Sequence, residues 1–267
     1  MRKRIRKVLI DAALVSGLVL FGHECGDEVL FKTEEEKNLE DKLEMPINLD
    51  WELRGEERSV RIRQLESYLD IASENWDLYS QQFSNINYIS ITSDISLFNP
   101  VLGSLHYFCS EKQSFCYSDQ DIVHELGHLW YFSLSTVERS RFERFWKDIS
   151  GDNYWCSPLD MFFGGCDSVN DCHALIEDLA TVSCYGTTNL WEDVAEYFMF
   201  VYLVNKNENN DNEDVFFHTA DNLRIGGLII YLEAISRIID KINLLYQYGA
   251  FSERERNQVV EQLMNSQ

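Results

Sequence analysis

The chain has 267 residues, 45% of them hydrophobic, which is enough to bury one sizeable core. A formal charge of −22 at pH 7 sets it against nucleic acid and anionic membrane surfaces, since both repel an acidic chain. With only three prolines and no Pro/Gly/Ser-rich linker, neither an internal domain boundary nor a repeat is expected.

Met1 to Lys7 holds five basic residues, and Val8 to Gly22 is a mostly apolar run of 15 residues broken by Asp11. That order and length predict an export signal over residues 1–25, because the run is short for a membrane span. Gly22-His23-Glu24 lacks the small residues a signal peptidase prefers. Cleavage near residues 20–26, an uncleaved N-terminal anchor and a lipidated Cys25 therefore all stay open. The expected location is secreted, cell-surface or periplasmic, with membrane contact only through such an anchor. Residues 26–42 are charged and read as a solvated acidic tether, with Thr33 to Lys42 a tether or frayed helix, leaving 43–267 as a single domain.

Glu56 to Phe83 spaces Val60, Ile62, Leu65, Leu69, Ile71, Trp76 and Tyr79 as a packing helix or pair of helices would. Asn87 to Ile91 and Gly103 to Phe108 read as strands, which puts a small sheet just upstream of the most informative stretch. An exposed edge of that sheet could hold an extended peptide by backbone hydrogen bonds. His106 lies on the second strand and is taken as ordinary sheet packing. Cys109 and Cys116 bracket a short loop.

Asp121 to Trp130 reads D-I-V-H-E-L-G-H-L-W. On a helix, His124 and His128 lie on one face about 6 Å apart along the axis, close enough for both imidazoles to bind one metal ion. Glu125 then sits beside the metal, in the H-E-x-x-H arrangement of zinc hydrolases, where the glutamate takes a proton from metal-bound water. Ile122, Val123, Leu126, Leu129 and Trp130 bury the helix, so its polar trio needs partners, and a metal supplies them. The helical pattern is expected to run on through about Ile149. The longer H-E-x-x-H-x-x-G-x-x-H form fails, because it needs Gly at Tyr131 and His at Leu134. Glu138 and Glu143 lie on the expected continuation of the same helix and cannot fold back, so the third ligand comes later.

Residues 150–184 form a cysteine-rich insertion holding Cys156, Cys166, Cys172 and Cys184. No C-x-x-C pair occurs, and an exported chain favours disulfides over a second zinc site. The expected pairing is Cys109 with Cys116 and two bridges among the later four, leaving Cys25 odd or removed. Cys184 to Phe198 reads C-Y-G-T-T-N-L-W-E-D-V-A-E-Y-F. Glu192 and Glu196 share a helical face, so one can ligate zinc while the other accepts a hydrogen bond from a ligating imidazole. Tyr185 precedes this helix and can turn its hydroxyl toward the metal.

H-E-L-G-H together with this stretch resembles the catalytic domain of anthrax lethal factor and the related Pro-Pro endopeptidases. There a tyrosine, a glutamate ligand seven residues later and a supporting glutamate four residues beyond follow the histidine helix. Tyr185, Glu192 and Glu196 match that spacing, and the gap from His128 to Glu192 is longer than in those relatives. The resemblance covers Gly103 to Phe198 in architecture and two short motifs in sequence. It implies His124, His128 and Glu192 as ligands, Glu196 behind a histidine and Tyr185 at the oxyanion.

Further on, Asn205 to Asp214 reads as a solvated acidic loop. Leu223 to Tyr246 reads as one core helix, whose Glu233, Arg237, Asp240 and Lys241 exclude a membrane span. Ser252 and Glu255 form a capping box opening a last helix through about Met264. His173 and His218 have no spaced partners.

The expectation is an α+β, mostly helical, zincin-like metallopeptidase domain with a small β-sheet beside the histidine helix. One Zn2+ per chain would serve a secreted metalloendopeptidase, in which Glu125 activates a zinc-bound water against an extended protein or peptide substrate. Two alternatives stay open, another zinc amide hydrolase acting on cell-wall peptides and a non-catalytic surface-binding protein stabilised by zinc. Intact Glu125 and Tyr185 count against the second, since a structural site needs neither.

Overall fold

The computed structural model describes residues 32–49, 55–92, 97–99, 104–110, 115–116, 118–151, 153–154, 173–208, 217–219, 221–225 and 228–266. The expected export signal, Cys25, the middle of the cysteine-rich insertion with Cys156, Cys166 and Cys172, and most of the expected acidic loop lie outside them. No helix among the described residues is long and apolar enough to cross a membrane. The architecture is α+β, mostly helical, with a small mixed sheet.

The segment expected as a solvated tether or frayed helix holds a capped and docked helix, α1 (Glu34–Leu43). Thr33 and Glu36 cap its start reciprocally, and Arg58 grips the buried Glu36 carboxylate through Nε and Nη2 at 2.8 and 2.7 Å. Leu39 enters the core beside them. A bidentate Arg-carboxylate contact plus a capping box explains why so charged a stretch is ordered.

Next come β1 (Ile47–Leu49), α2 (Gly55–Asn75) and α3 (Tyr79–Phe83). Ile62, Leu65, Leu69 and Ala72 form the buried stripe of α2, so the expected pair of helices is present. The sheet comprises β1, β2 (Tyr88–Thr92), β3 (Leu97–Asn99), β4 (Ser104–Ser110) and β5 (Phe115–Cys116). β1, β2 and β4 run parallel, while β3 and β5 pair antiparallel with β4. Cys109 stands directly opposite Cys116 in the β4–β5 register. Opposed residues of an antiparallel pair have Cα atoms about 4.5 to 5.5 Å apart, within reach of a disulfide.

The histidine helix α4 (Asp119–Ser133) ends sooner than expected. The chain turns at Leu134 and restarts as α5 (Thr136–Ser150), where Ser135 and Glu138 make another capping box. Glu138 is thus engaged at that cap, and Glu143 accepts a hydrogen bond from the Tyr131 hydroxyl. Neither turns back to the histidines, as expected, although the cause is a separate helix and not a continuous one.

After α6 (His173–Leu179) comes α7 (Leu190–Glu208), which is buried nearly all round: Val194, Ala195, Tyr197, Phe198, Phe200, Val201 and Val204 are all in the core. The stretch expected as an acidic loop from Asn205 begins inside this helix, with Asn205 itself buried and donating to Val201 O at 2.8 Å. α7 runs antiparallel to α4, since its Tyr202 and Lys206 reach Asp119 at the start of α4, Glu196 meets His124 and Glu192 meets His128.

The single core helix expected over Leu223 to Tyr246 is two elements. Strands β7 (Asn222–Ile225) and β8 (Leu228–Tyr231) form an antiparallel hairpin, with β6 (Phe217–His218) beside β7, and only then does α8 (Ile235–Gln247) begin. In the sequence, Gly226-Gly227 between the short segments Asn222–Ile225 and Leu228–Tyr231 is a hairpin turn signal that outweighs the apolar stripe. The last helix, α9 (Glu253–Asn265), opens at the Ser252 and Glu255 capping box as expected.

Candidate metal centre

Two helix starts fix the site. At the head of α4, the Asp121 carboxylate accepts from the Ser118 backbone N–H at 2.7 Å and from its hydroxyl at 2.8 Å. At the head of α7, the Asn189 side-chain oxygen accepts from the backbone N–H of Trp191 and Glu192 at 2.9 and 3.1 Å, a side-chain N-cap. Glu192 is thereby placed in the first helical turn, where the helix dipole favours a carboxylate.

The close approach of the two helices depends on one residue. A Cβ at Gly127 would stand 2.9 Å from Ala195 Cα and 3.1 Å from Phe198 Cβ, so only glycine lets the backbones meet at this crossing. Glycine inside a helix costs about 1 kcal/mol relative to alanine, and the contact gives that cost a reason.

Beside the crossing lies a cluster of imidazoles and carboxylates. Among the described residues, one group of metal-ligating atoms occurs, His124, His128 and Glu192, with all three atoms within 4.8 Å of one another. Glu192 Oε2 stands 3.2 Å from His124 Nε2 and 3.1 Å from His128 Nε2. The other ring nitrogen of His124, Nδ1, meets Glu196 Oε1 at 2.8 Å. Glu192 thus stands against both histidines and Glu196 against the other ring nitrogen of His124, the two contacts that their helical spacing predicts. Glu125 is buried on the same helix and stands outside the ligand trio.

Tyr185 sits on a short 3-10 turn, Tyr185–Thr187. Ser183 Oγ accepts from Gly186 N at 2.9 Å, and the Thr187 and Thr188 hydroxyls close the turn on Cys184 O and Tyr185 O, each at 2.7 Å. The tyrosine ring lies 5.7 Å from the His124 ring, centre to centre, and the residue as a whole is 47% exposed, so it forms a wall at the edge of the site. Cys184, immediately before it, is disulfide-bonded, in line with the expectation for the later cysteines.

The electrostatics follow from this packing. Burial alone would depress the His124 imidazole, yet the carboxylates of Glu192 and Glu196 hold it well above its ordinary value. Burial would raise Glu192, and His124 and His128 overcome it, bringing the carboxyl down to about 2. Burial, then the charges of Glu192, Glu125 and Glu196, push the Tyr185 hydroxyl far up, so it remains a proton donor. A neutral imidazole can donate from only one nitrogen. His124 faces a carboxylate at both, so the cluster calls for an extra positive charge at Nε2, supplied by a proton or by a metal ion.

The sequence gives Asp193 no role and shows Lys241 only as a polar residue of its helix. Asp193 and Lys241 form a fully buried ion pair at 2.6 Å behind the site. A signal existed for Lys241, which falls on the apolar stripe of Ile238, Ile242 and Leu245 and so points inward with them.

Comparison with protein-family models, curated proteins and solved structures finds no match to this chain, so the geometry carries the functional argument by itself.

Proposed function

We propose that the protein is a zinc-dependent peptide hydrolase, with the site arrangement of the lethal factor and Pro-Pro endopeptidase type that its motifs resemble. The observation that carries this is the convergence of two imidazoles and one carboxylate from two antiparallel helices. Ligands about 2.0 to 2.1 Å from a tetrahedral zinc ion lie about 3.3 Å from one another. The 3.2 and 3.1 Å separations from Glu192 Oε2 to the two histidine nitrogens fit that spacing. Three protein ligands leave a fourth position, the pattern of a catalytic site as opposed to a closed structural one.

When bound, zinc supplies a Lewis acid that makes water acidic near neutral pH and polarises a carbonyl. Glu125 takes the proton of the attacking water and passes it to the leaving amine. Tyr185, held protonated, donates a hydrogen bond to the carbonyl oxygen as it gains charge. Glu196 accepts from His124 Nδ1, which leaves Nε2 free to ligate. β3 lies against α4, pairs with β4 on one side and has no strand on its other side among the described residues. That edge suits an extended peptide adding a strand. Export to an oxidising compartment belongs to the same proposal, supported by the basic-then-apolar order of residues 1–22 and by the disulfide at Cys184.

The test is elemental analysis paired with a peptide-library digest. The purified protein is expected to hold one zinc per chain and to cleave peptides, and Glu125→Gln to keep the zinc while losing at least about 100-fold in turnover. Zinc below half an equivalent with no uptake on titration, or a Glu125→Gln protein that sheds its zinc, overturns the assignment.

A further inference from the structure

Asp193 follows Glu192 in α7 and projects about 100° further round the helix, away from the histidines. Its Oδ2 accepts from Lys241 Nζ at 2.6 Å, from the Tyr154 hydroxyl at 2.7 Å and from Trp146 Nε1 at 2.9 Å. Lys241 donates further to Leu179 O at 2.8 Å and to Ala180 O at 3.2 Å, and its ammonium lies 4.7 Å from the Trp146 ring centre. Those two carbonyls close α6 at the point where Ala180 takes a left-handed conformation, φ 49°, unusual for a residue with a side chain. The Tyr197 hydroxyl holds the same Ala180 carbonyl at 2.6 Å, and Ile229 N of β8 holds Val182 O at 2.8 Å. Three residues further on comes Tyr185. Asp193 also backs the turn itself, since a Cβ at Gly186 would stand 3.4 Å from both Asp193 Cα and Asp193 Oδ1.

We infer that Asp193 and Lys241 are positioning residues for the metal centre, joining the last helices of the domain to Glu192 on one side and to the Tyr185 turn on the other. A buried ion pair is weak evidence of a stabilising role, because apolar residues of similar size commonly stabilise as well or better. What this pair adds is direction. Three donors converge on one carboxylate oxygen, and the ammonium holds two carbonyls of the strand of chain that delivers Tyr185. A turn of α7 that shifts Asp193 shifts Glu192 with it.

The inference rests on the zinc reading of the site, and its test reads metal affinity so that the two can fail separately. Lys241→Met alone leaves Asp193 buried without a counter-charge and is expected to misfold. The informative protein is the full chain carrying Asp193→Asn with Lys241→Met, which removes both charges while keeping volume and an acceptor for Trp146 and Tyr154. Zinc dissociation constants come from competition with a chromophoric chelator, alongside a thermal melt and the visible spectrum of the cobalt-substituted protein. The double variant is expected to unfold cooperatively, to bind zinc about tenfold or more weakly, and to show an altered cobalt spectrum. A role in folding alone would lower the melting temperature and leave both metal readouts unmoved. Wild-type protein that binds no zinc overturns the metal assignment, and this inference with it. Wild-type binding with a double variant within twofold overturns this inference alone. Should the double variant not fold, Tyr154→Phe removes one donor to the same oxygen, and wild-type zinc affinity and cobalt spectrum in that protein would equally overturn it.

Discussion

On one face of α7, Glu192 and Glu196 meet the imidazoles of His124 and His128. On the other, Asp193 meets the ammonium of Lys241 with Trp146 and Tyr154 around it. Both faces bury carboxylates, and they neutralise them differently. The back face carries its own cation, whereas the front face is balanced only when protons or a metal ion join its histidines. Removing an ion from the front therefore leaves titratable groups that can take up protons and stay folded. Removing Lys241 from the back leaves a bare charge in the core, with a penalty of about 3 to 5 kcal/mol. The difference teaches which side can exchange protons or an ion and which carries a fixed counter-charge.

The sharpest way to isolate the front face is Tyr185→Phe. The hydroxyl contributes mainly when charge develops on the substrate, so turnover should fall about 100- to 1,000-fold, roughly 3 to 4 kcal/mol, with KM close to wild type. Because the residue is 47% exposed and the back-face contacts do not involve its ring, zinc content and melting temperature should hardly change. Steady-state kinetics on any cleaved peptide, with metal analysis and a melt, make the measurement. Near wild-type turnover would remove the oxyanion role and with it the main reason for preferring a lethal-factor-like arrangement.

Gly127→Ala attacks the spacing between α4 and α7 while touching no charged group. The new methyl would stand 2.9 Å from Ala195 Cα, a backbone atom that cannot swing aside, so the helices must separate. Overpacking of this kind costs about 1 to 3 kcal/mol, partly offset by alanine's better helix propensity of about 1 kcal/mol. Urea unfolding should show the loss. Zinc should bind more weakly too, because His124 and His128 ride on one helix and Glu192 on the other, while the Asp193–Lys241 contact behind α7 is untouched. Wild-type stability and affinity together would mean that the crossing tolerates a side chain and does not set the ligand spacing.

Much of the front face was legible in the sequence because its chemistry is local. His124, Glu125 and His128 lie within five residues, Tyr185, Glu192 and Glu196 within twelve, and helical spacing alone aligns each set. What spacing cannot show is which two local sets meet, and that meeting depends on Gly127 and Ala195 at a contact 68 positions apart. The back face was hidden for the same reason, since Lys241 and Asp193 are 48 residues apart and a single lysine on an apolar stripe reads first as a polar side of the helix. Two other differences came from turn chemistry that was present and outweighed. Gly226-Gly227 split an expected helix into a hairpin plus a shorter helix, and Ser135 with Glu138 ended the histidine helix and began another. At the N-terminus, the density of charge over residues 34–43 concealed a cap at Thr33 and the clamp of Arg58 on Glu36.

Glu196→Gln sharpens the comparison with the smallest expected effect. Glu196 and Asp193 are both buried carboxylates on α7, yet Glu196 accepts from a single imidazole nitrogen, whereas Asp193 is the meeting point of three donors. A glutamine can still offer its carbonyl oxygen to His124 Nδ1, so the tautomer that leaves Nε2 free survives. What is lost is the negative charge that makes the imidazole a stronger ligand. Loss of such an outer partner typically weakens metal binding about 10- to 100-fold, and retention of the hydrogen bond puts the expected change near the lower end, about tenfold. Stability of the metal-free protein should not fall, because that variant removes a charge from a cluster already rich in carboxylates. Chelator competition and a melt of the apoprotein decide it. A Glu196→Gln protein with unchanged zinc affinity would reduce Glu196 to packing, and one that loses zinc altogether would make Glu196 a ligand in place of Glu192.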